Sequence, residues 1–281
     1  MSPPADLIDG LGVTRVTPVR GGDIAKAYRL DTPNGPLFVK THPDPKPGMF
    51  EREAAGLHAL RATAAVAVPE VIRESPAGLV LEWIEEGRRT PAVDVALGGG
   101  LARLHRITGP HFGGLDGAPG GYLGSQPVDL TPTERWPEFF VERRVRPLTA
   151  RAVELGRLDA SAAALADRVA RRADELCGPP EPPALLHGDL WGGNRLVDVH
   201  GVNWLIDPAV YWGHREIDLA MMQLFGGFGE ATYEAYDAAF PLAPGWRERV
   251  DWYQLPPLLV HAILFGGSYG SAALAVLRRY A

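Results

Sequence analysis

The chain is constrained most by His187-Gly188-Asp189-Leu190-Trp191-Gly192-Gly193-Asn194, followed by Ile206-Asp207-Pro208. Asp189 and Asn194 stand five positions apart, and Asp207 follows Asn194 by thirteen. Leu196-Val197 and residues 202–206 read as the strands of a short hairpin, with residues 198–201 as its turn. A carboxylate, an amide and a second carboxylate on one loop and one hairpin is the spacing of a base and two hard-oxygen metal ligands. In-line phosphoryl transfer asks for this set. Asp189 would accept or orient the proton of an attacking hydroxyl, while Asn194 and Asp207 would hold Mg2+ against the phosphates of ATP. Any one of these residues alone would be an ordinary turn or cap. The three together favour the functional reading.

The first part of the chain reads as a small sheet with one helix. Residues 13–19 are rich in strand formers, Gly21-Gly22-Asp23 interrupts them, and residues 26–30 resume. A turn at residues 31–36 leads to Leu37-Phe38-Val39-Lys40. The spacing predicts a helix over residues 49–61, with Glu53, Leu57 and Leu60 at i, i+4 and i+7 on one face. A carboxylate on an apolar face is costly unless paired, and Lys40 at the end of the apolar strand is the partner expected for Glu53. Glu51 is the competing partner, although it lies off the leucine face. Gly21 and Gly22 would bring backbone N–H groups close to phosphates. Glu82, Trp83 and Ile84 stand where a hinge would offer backbone groups to adenine, or form an ordinary edge strand.

Beyond Glu85-Glu86-Gly87, which reads as a linker, the chain turns helical. Leu97, Leu101 and Leu104 share a face, residues 136–145 read as a second helix, and residues 165–176 as a third that Gly178-Pro179-Pro180 stops. From about Ile217 onward, more helices are expected. Asp218 would start one of them as an N-cap or brace the Asp189 loop, and His187 would fix that loop by hydrogen bonding. The expected fold is α+β and bilobal. A mainly antiparallel β lobe with one key helix (1–86) would bind nucleotide, and a larger helical lobe (87–281) would carry the catalytic loop and substrate.

Net charge is −6, which disfavours nucleic acid and requires local cations around a polyphosphate. Cys177 is the only cysteine, so no internal disulfide can form and a reducing cytoplasm is expected. Neither a membrane span nor a signal peptide is read.

These residues make the chain similar to the fructosamine kinase, or ketosamine-3-kinase, family. The most specific stretches are residues 187–194 and residues 206–221, the latter containing Gly213-His214-Arg215-Glu216-Ile217-Asp218-Leu219-Ala220-Met221. Leu224-Phe225-Gly226-Gly227-Phe228 and Leu264-Phe265-Gly266-Gly267-Ser268-Tyr269 match as well. The resemblance implies a protein-kinase-like fold and ATP-dependent phosphorylation of a ketoamine sugar, at the 3-hydroxyl, in repair of glycated amines. The ketoamine would be a small molecule or a glycated protein lysine. Trp191 would border the sugar adduct or pack as a core aromatic, with His214 and Glu216 lining the same pocket. Members often carry a cysteine in the Gly-rich loop. Asp23 stands there in this chain, so a disulfide dimer through that loop is not expected, and the Asp23 side chain should point away from phosphates. Two other readings stay open: an aminoglycoside or amino-alcohol kinase, which predicts a strongly acidic substrate cleft, and a nucleotide-binding pseudokinase.

Overall fold

A computed structural model describes residues 3–19 and 25–281. Gly21, Gly22 and Asp23, with the expectations attached to them, lie outside the described residues.

A short helix α1 (Ala5–Ile8) precedes strands β1 (Arg15–Val19), β2 (Lys26–Thr32) and β3 (Gly35–Thr41), helix α2 (Met49–Thr63), and strands β4 (Val71–Ser75) and β5 (Gly78–Glu82). The strands form one antiparallel sheet in the order β1-β2-β3-β5-β4. Strand β4 was not foreseen in the sequence. Strand β3 is central, and Lys40 on it pairs with Ala27 on one side and Leu79 on the other. Side chains alternate along a strand, so Val39 joins Leu7, Leu30 and Val80 on the outer face. Phe38 and Lys40 therefore turn to the opposite face, where α2 packs. That helix buries Phe50, Glu53, Leu57 and Leu60 along one stripe, as its periodicity predicts.

The two lobes share a core. Phe50, Leu57, Leu79 and Leu81 from the sheet side cluster with Leu97, Leu101, Leu185, Leu190, Leu205 and Leu219 from the helical side. Helix α3 (Pro91–His105) therefore connects the lobes as a packed element rather than a tether. A second hairpin, β6 (Gly120–Leu123) with β7 (Gln126–Asp129), reaches back so that Tyr122 Oη donates to Pro47 O at 2.8 Å.

The helix expected over residues 136–145 is one α turn, α4 (Trp136–Glu138), followed by a π-helical stretch from Phe139 to Val145 and then α5 (Arg146–Glu154). Pro147 explains the widening: it has no N–H for the carbonyl one turn back, and a π turn relieves the clash. The third expected helix is likewise two pieces, α6 (Ser161–Arg171) and α7 (Ala173–Leu176). Strand β8 (Ala184–Leu186) leads to the Asp189 loop, hairpin β9 (Arg195–Val197) and β10 (Asn203–Leu205) follows, and β11 (Tyr211–Gly213) pairs back on β8. Helices α8 (Glu216–Leu224), α9 (Glu230–Ala239), α10 (Val250–Tyr253), α11 (Leu255–Phe265) and α12 (Ser268–Tyr280) complete the lobe around Phe139, Phe140, Trp252 and Leu259. No helix among the described residues is long and apolar enough to cross a membrane. Cys177 is buried and its thiol is pushed up to about 12 by burial.

Candidate active site

A cleft of about 1100 Å³ runs between the sheet and the helical lobe, and Lys40, Glu53, Asp189, Asn194 and Asp207 all line it. Lys40 Nζ donates to both Glu53 oxygens, at 3.0 and 2.9 Å, and lies 3.0 Å from Asp207 Oδ1. The partner of Lys40 is Glu53, as expected, and not Glu51. Burial alone would lower the affinity of Lys40 for its proton, but the two carboxylates outweigh it and hold the ammonium above its usual range. Glu53 is raised because burial and the charge of Asp207 outweigh Lys40.

The Asp189 loop is held from beneath. Asp218, the third residue of α8, is fully buried and accepts the N–H groups of His187 at 2.7 Å and Gly188 at 2.9 Å. Against the cost of burial, a 3.2 Å contact from His105 and these N–H groups keep Asp218 below the ordinary carboxylate range. Asp218 is thus a loop brace and not an N-cap. His187, also fully buried, accepts the Asp189 N–H at Nδ1 (3.3 Å). Its Nε2 then donates to Ile206 O at 3.1 Å, which ties the loop to the residue before Asp207. Burial lowers its pKa and keeps it neutral.

Asn194 Nδ2 donates to Asp189 O at 2.8 Å and to Asp189 Oδ2 at 3.2 Å. Its amide nitrogen is thereby committed, and its carbonyl oxygen is the atom left for a cation. Asp207 sits at φ +53°, a left-handed conformation that Asp tolerates and that is concentrated at functional sites. Asp189 is half-buried, and desolvation with the nearby Asp207 charge pushes its carboxyl up to about 7. The cluster sets three carboxylates, Glu53, Asp189 and Asp207, about the Lys40 ammonium. This excess negative charge and the hard-oxygen donors fit a divalent cation. No three His, Cys, Asp or Glu side chains among the described residues form a dedicated cage. Mg2+ needs none, because phosphates and water supply most of its ligands.

Glu82, Trp83 and Ile84 line the cleft beside this cluster. The Glu82 carboxylate accepts the Glu70 N–H at 3.2 Å and lies 3.8 Å from Arg61, and the Glu82 N–H donates to Glu70 O at 2.9 Å. Trp83 is fixed by a 3.0 Å bond from its indole N–H to Glu85 and by Arg29 stacked 4.8 Å from the ring centre.

At the other end of the cleft stands an aromatic shelf. Trp191 is 37% exposed and lies across Gly193, where any Cβ would meet the indole at 2.2 Å. Its ring meets Phe225 edge-on at 5.9 Å, Phe225 meets His261 at 4.8 Å, and His261 meets Tyr269 at 5.0 Å and Phe265 at 5.5 Å. All five line the cleft. Phe225, His261, Phe265 and Tyr269 received no role from the sequence. The signal was the pair of Phe-Gly-Gly stretches, which the fold brings together. Two expected pocket residues need correction. His214 and Glu216 are 1% and 2% exposed and face the interior of the helical lobe. His214 stacks on Tyr253 at 5.4 Å, and burial pushes its pKa down to about 4. Glu216 forms two bonds of 2.6 and 2.8 Å with Arg249.

The fructosamine kinase family model matches residues 6–281. An Enterococcus faecium protein designated a probable ketoamine kinase is 38% identical over 272 residues, covering 95% of each chain. The chloroplastic protein-ribulosamine 3-kinase of Arabidopsis thaliana is 33% identical over 277 residues, covering 95% of this chain and 83% of that one. A Thermobifida fusca crystal structure provisionally designated fructosamine-3-kinase superposes with a TM-score of 0.88 at 39% identity, covering 98% of this chain and 96% of that one. With the family match running through the lysine strand, the Asp189 loop and the aromatic shelf alike, this chain belongs to the fructosamine kinase family.

Proposed function

We propose that the protein transfers the γ-phosphoryl group of ATP to the 3-hydroxyl of a ketoamine, as a repair kinase for glycated amines. The observation that carries this reading is the convergence of Lys40, Glu53 and Asp207 with Asp189 and Asn194 on one wall of a cleft whose other end is aromatic. The phosphates lie toward Lys40, which neutralises charge on them. Glu53 holds the Lys40 ammonium extended from the sheet. Adenine takes the backbone edge of residues 82–84 against Trp83 and Ile84. Asn194 and Asp207 would hold Mg2+, which would supply electrostatic stabilisation to the phosphoryl group. Asp189 accepts the proton of the sugar hydroxyl as its oxygen bonds phosphorus and the bond to the leaving ADP oxygen breaks. The single, buried Cys177 fits work in a reducing cytoplasm.

The shelf discriminates between substrate classes. Trp191, Phe225, His261, Phe265 and Tyr269 carry no carboxylate, and burial lowers the pKa of His261 and favours its neutral form. A polycationic aminoglycoside would be better served by acids at this end. One secondary ammonium on an apolar chain suits π faces. Phe225→Ala should raise KM for the ketoamine roughly fivefold and leave KM for ATP within twofold, since one aromatic contact contributes about 1 kcal/mol. An equal rise in both constants would remove the shelf from the substrate site.

The direct test is ADP release with Mg2+ on ribulose-lysine, erythrulose-lysine, fructose-lysine and one aminoglycoside, with phosphorus NMR to locate the new ester. Ester at the 3-hydroxyl of a ketoamine is the expected result. Turnover confined to the aminoglycoside, or ATP binding with no turnover, would overturn the reading.

A further inference from the structure

We propose that Arg89 is a positioning residue that locks the metal-binding loop to the aromatic shelf, so that the acceptor hydroxyl is presented to Asp189 in register. The proposal rests on the roles given above to Asn194 and Trp191.

Arg89 lies in the segment between β5 and α3, where Gly87 and Pro91 pin the chain two residues to either side of it. Gly87 N–H donates to Val197 O at 2.7 Å, and a Cβ at Gly87 would meet Asp198 O at 2.2 Å, so the backbone lies flush on the β9–β10 hairpin. Pro91 begins α3. Held between these two points, the exposed Arg89 guanidinium reaches three backbone carbonyls: Gly192 O at 3.2 Å, Arg195 O at 2.8 Å and Gly227 O at 3.2 Å. The first two flank Asn194. The third belongs to the turn that follows Phe225.

The segments that Arg89 joins also touch directly. A Cβ on Gly192 would meet Gly226 O at 2.7 Å and the Gly227 Cα at 3.0 Å, so the two glycine pairs interlock with no side chain between them. Behind them, Arg195 is almost fully buried. It is held by Asn203 at 2.9 Å and Asp94 at 2.7 Å, with its guanidinium 5.5 Å from the Phe228 ring centre. Asp94 neutralises Arg195, which leaves Arg89 free to serve carbonyls alone. A planar guanidinium can satisfy several carbonyls at once in fixed directions, whereas an ammonium is a point donor without that geometry. Metal ligand and substrate shelf thus share one clamp, and loosening it should disturb both.

Because Arg89 is exposed, its variants should fold. In Arg89→Met we expect kcat on a ketoamine to fall at least tenfold, and both the half-saturating Mg2+ concentration and KM for the ketoamine to rise severalfold. Binding of adenosine, which has no phosphates, should stay within twofold. Arg89→Lys should recover only part of the loss. Added methylguanidinium should restore activity to Arg89→Ala and not to the wild type. Kinetic constants and Mg2+ dependence within twofold of wild type in Arg89→Met would overturn the proposal. So would a loss that follows the folded fraction alone, with no change in Mg2+ dependence and no rescue. A wild-type protein inactive on every ketoamine would instead sink the repair-kinase reading, so the two failures are distinguishable.

Discussion

Asp189→Asn should cut turnover sharply and stabilise the ligand-free protein in the same stroke. A positioned base contributes about 10²–10⁴ to a rate, so kcat should fall about a thousandfold while ATP still binds. The stability gain follows from the site's charge. Desolvation and Asp207 push the Asp189 carboxyl up to about 7 in the folded protein, from an ordinary value of 3.8. Between these pH values the folded state holds a proton that the unfolded chain has released, so wild-type stability declines as pH rises through the window. An amide does not titrate, and it can still offer an oxygen to Asn194 Nδ2. The variant should therefore match wild type near pH 4, gain steadily up to pH 7, and plateau above it. Each pKa unit corresponds to about 1.4 kcal/mol, and solvent screening at a half-exposed carboxylate reduces the total to about 1–2 kcal/mol. That corresponds to roughly 2–6 °C in Tm. The check is thermal melting from pH 4 to 8.5 without Mg2+ or nucleotide. A variant less stable than wild type at pH 8 would mean that the Asp189 charge is compensated in the apo site.

What the sequence revealed and what it hid divide along a physical line. Lys40 and Glu53 were legible because a carboxylate on a leucine face demands a cation, and only one strand upstream ends in lysine. The Asp189, Asn194 and Asp207 set was legible because loop and hairpin lengths fix their spacing. His214 and Glu216 were misassigned by their nearness in sequence to the motif. They stand at the junction of β11 and α8, where the chain turns inward, and no one-dimensional pattern tells which way such a junction faces. Phe225, His261 and Tyr269 drew no role from the sequence, because only tertiary packing gathers them beside Trp191. Arg89 was invisible for a different reason. Its bonds to Gly192, Arg195 and Gly227 go to backbone carbonyls, which carry no residue signature. The π turn before Pro147 shows the same limit in the fold: apolar periodicity marked a helix, but not how its turns adjust to a missing N–H.

Lys40→Met should cost both activity and stability, and a second substitution should separate the two losses. The Lys40 and Glu53 side chains are 11% and 10% exposed. Removing one partner of a buried pair leaves an uncompensated charge and costs about 3–5 kcal/mol. Glu53 already sits above its ordinary pKa because burial opposes its charge, and loss of the Lys40 ammonium must raise it further. A raised folded-state pKa on an acid means stability that is present at low pH and lost as pH rises. The Lys40→Met defect should therefore be largest near pH 8 and shrink toward pH 5, as Glu53 takes up a proton. Lys40→Met with Glu53→Leu should return stability to within about 1 kcal/mol of wild type across that range, because an apolar pair can replace a buried ion pair at little cost. Activity should not return. Without the ammonium nothing on β3 neutralises the phosphates, and kcat/KM should stay at least about a hundredfold below wild type in single and double variants alike. Urea unfolding at pH 5 and pH 8, with kcat/KM on the same samples, provides the check. Recovery of activity together with stability in the double variant would make Lys40 a structural lysine and leave the phosphates to Mg2+ alone.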